Sequence, residues 1–304
     1  MKPDRIRVLR RVVWRYYRRA GRDLPWRRTR NPYRILVSEV MLQQTQAERV
    51  LSKYREFLHR FPTVRALAEA SLSEVLRAWS GLGYNRRALF LKTAAEIILA
   101  EHGGRVPRRS AALERLPGVG AYTARAILCF AFDEPTVFLE TNIRTVFIHH
   151  FFAERIRRGS GVSDRELLPL IGASLDRRDP REWYFALMDY GAHLKQTVGN
   201  VSRASTQYAR QSAFRGSARE ARGRTLKLLV VRAMSETELV RLSTLPRDRI
   251  RRKDGEALRT HGVASSDCFL LMKLMMKLKN KRFAITMRSH YYCKFFNSFR
   301  IDLL

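Results

Sequence analysis

The sequence predicts an all-α fold that is large enough for two domains. Between about residues 35 and 194, apolar side chains recur at helical spacing in segments of roughly 10–20 residues, separated by proline and glycine. No series of alternating strands interrupts this pattern. A length of 304 residues and a hydrophobic content of 45% suit a globular chain of two domains, or of one domain with appendages.

The N-terminal part predicts one helix followed by a loop. Over residues 5–20, apolar side chains share one face of a helix, with arginines between them. Gly21 ends this helix, and Pro25 and Pro32 bias the residues before them toward extended backbone. Further breaks separate the predicted helices that follow, at residues 61–62, 81–83, 103–104, 107, 117–118, 135 and 180.

The composition indicates a polyanionic partner. The chain has 59 Lys and Arg against 28 Asp and Glu, a net charge of +31 and a pI near 11.2, so nucleic acid is the first partner to consider. Cys129, Cys268 and Cys293 form no CxxC pair, which argues against a zinc finger or a disulfide framework. Without a long uncharged apolar stretch or a signal-peptide core, we expect a cytoplasmic protein with no membrane partner.

The C-terminal third differs from the rest in composition. Residues 196–225 are rich in arginine and form either a phosphate-facing linker or a solvated surface loop. Residues 223–264 predict a small helical, winged-helix-like module that binds DNA. Residues 265–304 form a basic tail, which is either a membrane-surface helix or, as we favour, a poorly ordered extension.

The strongest local motif is a glycine turn between two helices. The segment Leu116-Pro-Gly-Val-Gly-Ala-Tyr-Thr-Ala-Arg-Ala-Ile-Leu128 joins an apolar helix end to a new helix. Gly118, Val119 and Gly120 allow tight backbone geometry that exposes amide groups at the start of the new helix. Such amides, aided by the helix dipole, hold a phosphate oxygen without reading base sequence. An ordinary helix–helix turn is the alternative.

Other motifs place this turn in a known pattern. Their order and separations resemble the helix-hairpin-helix DNA glycosylases over about residues 5–195. They are most similar to the MutY branch of A/G-specific adenine glycosylases, with endonuclease III as a cousin. The motifs are Leu24-Pro-Trp-Arg27, Ser38-Glu-Val-Met-Leu-Gln-Gln-Thr-Gln46, Phe61-Pro-Thr-Val64, Gly81-Leu-Gly-Tyr84, Leu139-Glu-Thr-Asn-Ile-Arg144 and Met188-Asp-Tyr-Gly-Ala192.

The resemblance implies a two-lobed molecule with its active site between the lobes. Residues 27–130 would form a six-helix barrel that ends in the helix-hairpin-helix. Residues 1–26 and 131–222 would form the second lobe, with Glu39 and Glu140 facing the cleft from opposite lobes. The implied partner is double-stranded DNA with a mispair or an oxidised guanine, bound by a nucleoid-associated monomer.

Glu39 matches the general acid of the MutY branch. Breaking a purine N-glycosidic bond requires a proton on the leaving base and a carboxylate near the positive sugar, by analogy with glycosidases. Apolar neighbours predict that Glu39 is buried, which raises its pKa and keeps a proton for adenine. For an isolated glutamate, a surface position on a helix is the alternative.

Glu140 is the main departure, because the family has Asp at the matching position. The extra methylene moves the carboxylate by about 1.5 Å, and a misplacement of about 1 Å can cost on the order of 100-fold in rate. Either the backbone compensates, or the enzyme is slow or inactive, or Glu140 is only a structural helix cap. By resemblance, Asn142 supports the sugar-side site and Arg144 contacts DNA.

Tyr122 stands where endonuclease III carries its Schiff-base lysine. Without that amine, strand cleavage by β-elimination lacks its nucleophile. The resemblance therefore makes Tyr122 an active-site hydroxyl of a monofunctional glycosylase, and a packing tyrosine is the alternative.

Base flipping implies two further groups of residues, since a base in a duplex must leave the stack to react. Asn85 departs from the second tyrosine of the MutY branch, which leaves the opposite-base preference open. By resemblance, Gln44 and Tyr84 probe the base stack, and Arg22, Leu24, Trp26 and Asp189 form the adenine pocket.

The family commonly binds a [4Fe–4S] cluster through four cysteines. Lys195 stands where the first would be, and no cysteine lies between Cys129 and Cys268. Because ligation of the cluster needs thiolates, we predict no cluster, no other cofactor and no metal. The Nudix-like domain with which MutY reads 8-oxoguanine is not visible in the sequence either.

These observations predict a monofunctional DNA glycosylase of base excision repair. It would hydrolyse the N-glycosidic bond of adenine mispaired with guanine or 8-oxoguanine. A thymine or uracil mismatch glycosylase also fits Tyr122 in place of lysine. A non-catalytic protein that binds damaged or distorted DNA is the alternative from another class, and Glu140 and the C-terminal module leave this alternative open.

Overall fold

Helices form nearly all the regular structure of the described chain. The computed structural model describes residues 3–208 and, beyond them, only positions 217, 220, 223–225 and 228. Within residues 3–208, extended pairing is limited to one bridge between Val162 and Ser205. The helices are α1 Pro3–Ala20, α2 Pro32–Leu42, α3 Ala47–Arg60, α4 Val64–Glu69, α5 Leu72–Trp79, α6 Arg86–Glu101, α7 Ser110–Glu114, α8 Ala121–Phe132, α9 Thr141–Arg157, α10 Asp164–Ser174 and α11 Pro180–Thr197.

The all-α prediction is therefore confirmed for the part of the chain that the structure describes. Apart from those isolated positions, the predicted module at 223–264 and the tail at 265–304 lie outside the described residues. None of the described helices has the length and apolar character needed to cross a membrane.

Helix α1 packs against helices from the far end of the described chain. Leu9 and Val13 on its apolar face are fully buried, and the ring of Trp14 lies 5.7 Å from that of Trp183 on α11. Helix α1 contacts α10 and α11, and α11 contacts α9. The N-terminal helix thus packs with the group formed by α9, α10 and α11. The domain boundaries implied by the resemblance remain a prediction.

Helix α2 is central to the other group, which consists of α2 to α8. It begins cleanly because the Asn31 side chain accepts a hydrogen bond from the Arg34 amide at 3.1 Å and Pro32 suits the first turn. All residues from Ile35 to Met41 are buried, since α2 contacts α3, α6 and α8. A carboxyl on this helix is therefore held away from water.

The glycine turn has the geometry that the sequence predicts. Gly118 has a φ of 80°, and Gly120 is the N-cap residue of α8. A Cβ atom on Gly118 would lie 3.0 Å from the Cβ of Phe90 on α6, so both the backbone and the packing favour glycine. This turn sets the position of the first residues of α8, which include Tyr122.

A second close approach joins α11 to the start of α9. A Cβ atom on Gly191 would lie only 2.2 Å from the main-chain oxygen of Asn142. Glycine at position 191 therefore lets α11 lie directly against the first turn of α9, where Glu140 is the N-cap residue.

Candidate active site

Glu39 lies on the buried helix α2, and its side chain is almost fully enclosed. The residue is 6% exposed, and its Oε2 accepts a hydrogen bond from the Tyr122 hydroxyl at 3.4 Å. Burial raises the pKa of Glu39 to about 8; the Tyr122 hydrogen bond lowers this pKa, and the charge of Glu140 raises it. Glu39 therefore carries a proton at neutral pH, as its apolar neighbours predict.

Tyr122 connects Glu39 to the segment that precedes α9. It lies in the first turn of α8, and its ring meets the ring of Phe138 edge-on at 5.7 Å. Burial and the nearby Glu39 and Glu140 raise the pKa of the Tyr122 hydroxyl well above its ordinary value. The hydroxyl therefore stays protonated and acts as a hydrogen-bond donor.

Glu140 is the N-cap residue of α9 despite its extra methylene. Its Oε1 accepts hydrogen bonds from the amides of Asn142 at 2.7 Å and Ile143 at 2.9 Å. Both bonds go to Oε1, and no described residue donates a hydrogen bond to Oε2. Capping and a free carboxylate oxygen are thus compatible in this residue, so the structural and catalytic interpretations do not exclude each other.

Two cations lie beside this carboxylate. Burial raises the pKa of Glu140, while the two amides, Lys195 and Arg144 oppose the rise. The Lys195 Nζ donates a hydrogen bond to the Asn142 Oδ1 at 2.7 Å. Arg144 forms an ion pair with Asp164 of α10, with distances of 3.0 and 2.8 Å. The predicted DNA contact of Arg144 would thus compete with this ion pair.

Lys195, which replaces the family's first cluster cysteine in the sequence, lies beside the candidate site in the structure. Its ammonium group is partly buried, and burial lowers its pKa from the ordinary value. A lysine does not ligate iron, and the one cysteine in the described part of the chain, Cys129, is buried in α8. The described residues also contain no cluster of three side chains able to hold a metal. The residues at this position therefore do not fit a four-cysteine cluster.

The two residues predicted to probe the base stack occupy similar loops. Gln44 follows α2 and is exposed, and Tyr84 follows α5 and is half-buried. Both have a left-handed backbone, with φ of 54° for Gln44 and 48° for Tyr84. The neighbouring Gln43 donates through Nε2 to the Gly118 oxygen at 3.1 Å and to the Thr123 hydroxyl at 3.3 Å. The first of these loops is thereby joined to the glycine turn.

The residues of the predicted adenine pocket are packed or hydrogen-bonded to other protein residues in the structure. Leu24 and Trp26 are buried at 8% and 6% exposure, and the Trp26 ring packs edge-on against Tyr54 at 5.5 Å. Asp189 accepts hydrogen bonds of 2.7 and 2.8 Å from Arg22 and of 2.7 Å from both terminal nitrogens of Arg27.

These contacts make Asp189 the anchor of the loop between α1 and α2. Burial alone would raise the pKa of Asp189, but its bonds to Arg27 and Arg22 hold that pKa below the ordinary value. A cavity of about 310 Å³ lies beside this anchor and is lined by Arg22 and Arg27 but not by Leu24 or Trp26. A role of Asp189 in binding adenine remains a prediction.

Known proteins share this fold. Residues 37–165, which include Glu39, Tyr122 and Glu140, match the HhH-GPD superfamily of base excision DNA repair proteins. The chain is 35% identical over 184 residues to the thymine/uracil-DNA glycosylase of Pyrobaculum aerophilum, covering 59% of this chain and 79% of that protein. The chain therefore belongs to the HhH-GPD superfamily, and the resemblance seen in the sequence is confirmed.

Within this superfamily, the chain is also similar to adenine DNA glycosylases. It is 42% identical over 178 residues to that of Mycobacterium tuberculosis, a match that covers 58% of each protein. The match thus spans a little over half the length of the Mycobacterium tuberculosis protein. The chain is 37% identical over 191 residues to the human adenine DNA glycosylase, covering 58% of this chain and 34% of the human protein.

Solved structures confirm the fold. A thermostable thymine-DNA glycosylase superposes with a TM-score of 0.56 at 29% identity, covering 62% of this chain and 87% of that chain. A trapped covalent intermediate of endonuclease III with DNA superposes with a TM-score of 0.54 at 20% identity, covering 64% and 87%.

Proposed function

We propose that this protein is a monofunctional DNA glycosylase that removes adenine mispaired with guanine or 8-oxoguanine. The observation that carries the proposal is the buried Glu39, which is protonated at neutral pH and lies beside Tyr122 and near Glu140. The similarity to several adenine DNA glycosylases supports adenine as the base. On this proposal the protein acts as a monomer on chromosomal DNA in the nucleoid.

The two carboxyl groups have different roles because their surroundings differ. As the bond between adenine and the sugar breaks, its electron pair moves to the base, and Glu39 supplies the proton that neutralises the leaving adenine. The positive charge that develops on the sugar is stabilised by the Glu140 carboxylate, whose orientation is fixed by two amide hydrogen bonds. Water then adds to the sugar carbon and releases a proton, which leaves an intact abasic site.

The proposal includes the absence of strand cleavage and of a cluster. Tyr122 has no amine to form a Schiff base, and the Lys195 amine is hydrogen-bonded to Asn142. Borohydride should therefore trap no covalent complex with DNA. A trapped complex that disappears in Lys195→Ala would show instead that Lys195 is a lyase nucleophile.

The DNA partner follows from charge and from the glycine turn. The net charge of +31 favours any polyanion, and the first amides of α8 after Gly120 can hold a backbone phosphate. These contacts position the duplex without reading its sequence, so recognition of the mispair belongs to Gln44, Tyr84 and the base pocket.

The test uses excess protein and a duplex with one adenine opposite 8-oxoguanine. We expect strand breaks only after alkali treatment, loss of product in Glu39→Gln, and retained or increased product in Glu140→Asp. Glu140→Ala should lose product, while duplex binding remains in all variants. If the wild type binds but forms no abasic site opposite any base, the catalytic proposal is wrong and a DNA-binding role replaces it.

A second candidate substrate is thymine or uracil in a mismatch. It is favoured by the similarity to the thymine/uracil-DNA glycosylase, of which the chain covers 79%. Duplexes with T or U opposite guanine, run in the same assay, separate the two substrates. Product from these duplexes and none from adenine would replace adenine with a pyrimidine.

A further inference from the structure

Arg87, near the start of α6, is a buried cation with an unusual set of partners. It is 8% exposed, and no described carboxylate lies within ion-pair distance of its guanidinium group. Every hydrogen bond that its guanidinium group donates goes to an oxygen at the end of α2 or in the loops that follow α2 and α5. Nη1 donates to the main-chain oxygens of Val40 at 3.0 Å, Met41 at 2.8 Å and Gln43, and Nη2 donates to the Thr45 hydroxyl at 3.0 Å and to the main-chain oxygens of Leu82 at 3.3 Å and Gly83 at 3.2 Å.

The carbonyl groups at the end of α2 compensate part of this charge. A helix C-terminus carries partial negative charge, which favours a nearby cation. Burial lowers the pKa of Arg87 to about 10, so the group is charged at neutral pH. A lysine would keep the charge but could not reach both loops at once, because only the guanidinium group has a wide planar fork of donors.

The loops bound by Arg87 are the ones that carry Gln44 and Tyr84. These two are among three described non-glycine residues with a positive φ, a conformation that costs energy and persists only where the surroundings enforce it. Arg87 binds the main chain of Gln43 and the hydroxyl of Thr45, on either side of Gln44. Its Cζ also lies 5.4 Å from the centre of the Tyr84 ring.

We infer that Arg87 is a positioning residue that holds Gln44 and Tyr84 as one unit against the DNA base stack. The inference rests on the proposed function, because it assumes that these two side chains enter or press on the duplex. Since Arg87 is buried behind both loops, it acts through them and not by contacting DNA.

The experiment measures base unstacking directly, with 2-aminopurine next to the adenine of the mispair. Unstacking raises the fluorescence of this base when wild-type protein binds. Arg87→Lys should still bind the duplex at low salt, but its equilibrium constant for unstacking should fall on the order of tenfold. The matched control is Arg181→Lys. Arg181 is also buried and donates hydrogen bonds to the main-chain oxygens of Phe130, Arg27 and Thr29, which lie outside the loops that carry Gln44 and Tyr84.

A double-mutant cycle separates positioning from general stability. Gln44→Ala should reduce unstacking strongly in the wild type but only slightly in Arg87→Lys, because the arginine acts through that loop. The inference would be overturned if the losses of unstacking in the two single variants simply added in the double variant. It would also be overturned if Arg87→Lys and Arg181→Lys lowered Tm by similar amounts and unstacked the base equally. Either result would leave the proposed function intact. No unstacking by wild-type protein would overturn both.

Discussion

Glu39 is held neutral by its position on a buried helix, and this makes the stability of the fold depend on pH. Its pKa rises from an ordinary value of 4.5 to about 8, so between these values the folded protein keeps a proton that the unfolded chain releases. The stability that comes from this proton is complete below about pH 4.5 and is lost as pH rises through about 8.

Glu39→Gln should therefore be more stable than the wild type at neutral pH, although we expect it to have no glycosylase activity. An amide keeps the size of the side chain and does not ionise, so we expect a higher Tm near neutral pH and a smaller difference at acidic pH. Thermal unfolding of both proteins across this pH range checks the expectation. A Tm difference that does not change with pH would mean that Glu39 is ionised in the folded state.

Lys195 should affect both the rate of the reaction and its dependence on pH. Lys195→Met removes the hydrogen bond to the Asn142 side chain and a cation that lowers the pKa of Glu140. We expect the rate to fall about tenfold and the acid limb of the pH–rate profile to move to higher pH. Lys92→Met is the matched control, because Lys92 is also partly buried and donates to a carbonyl, that of Ala68 at 3.0 Å. An unchanged acid limb in Lys195→Met would contradict this role.

Residues that belong to local sequence motifs are easier to predict than residues that position those motifs through long-range contacts. Burial of Glu39 follows from its apolar neighbours, and Tyr122 and Glu140 stand at matched positions in local motifs. The anchoring of Asp189 by Arg22 and Arg27 depends on side chains more than 160 positions apart, with separations of 167 and 162. No local pattern shows such a contact, so resemblance alone places the Asp189 carboxylate in the pocket.

At the scale of elements, the contact between α9 and α11 determines where Glu140 lies. Gly191→Ala places a Cβ 2.2 Å from the Asn142 oxygen, so the two helices must move apart. We expect a loss of about 1–3 kcal/mol of unfolding free energy and a larger loss of rate than stability alone explains, because Glu140 moves with α9.

Gly172→Ala in α10 is the matched control for this substitution. Its Cβ would lie 3.6 Å from Val137 Cγ2, an ordinary contact, so alanine should stabilise the helix by about 0.5–1 kcal/mol. Denaturant unfolding and single-turnover rates of both variants decide the point. Equal effects of the two substitutions would contradict the close approach.

The helices themselves were predictable because proline, glycine and capping residues mark their ends. Pro32 after Asn31 begins α2, and Pro180 after Asp179 begins α11. The pairing of helices was not predictable from these patterns. The six oxygens around Arg87 come from segments separated by about 40 residues, and only the packed structure brings them together.

At the scale of the whole molecule, the charge makes DNA affinity depend on salt. With a net charge of +31, binding to any duplex should weaken steeply as salt rises, with a linear relation between the logarithms of affinity and salt concentration. Unstacking by Gln44 and Tyr84 should depend on salt much less, because it involves few phosphates. Titrations with matched and mispaired duplexes test this, and a flat salt dependence would exclude a phosphate-dominated interface.

The proposed chemistry requires a neutral Glu39 that protonates adenine as it leaves. The most direct measurement is the single-turnover rate at which free adenine is released from a duplex with adenine opposite 8-oxoguanine, as a function of pH. We expect this rate to fall as pH rises through about 8, the pKa of Glu39, and Glu39→Gln to release no adenine at any pH. Release by Glu39→Gln at the wild-type rate, or a rate that does not change across this pH range, would contradict it.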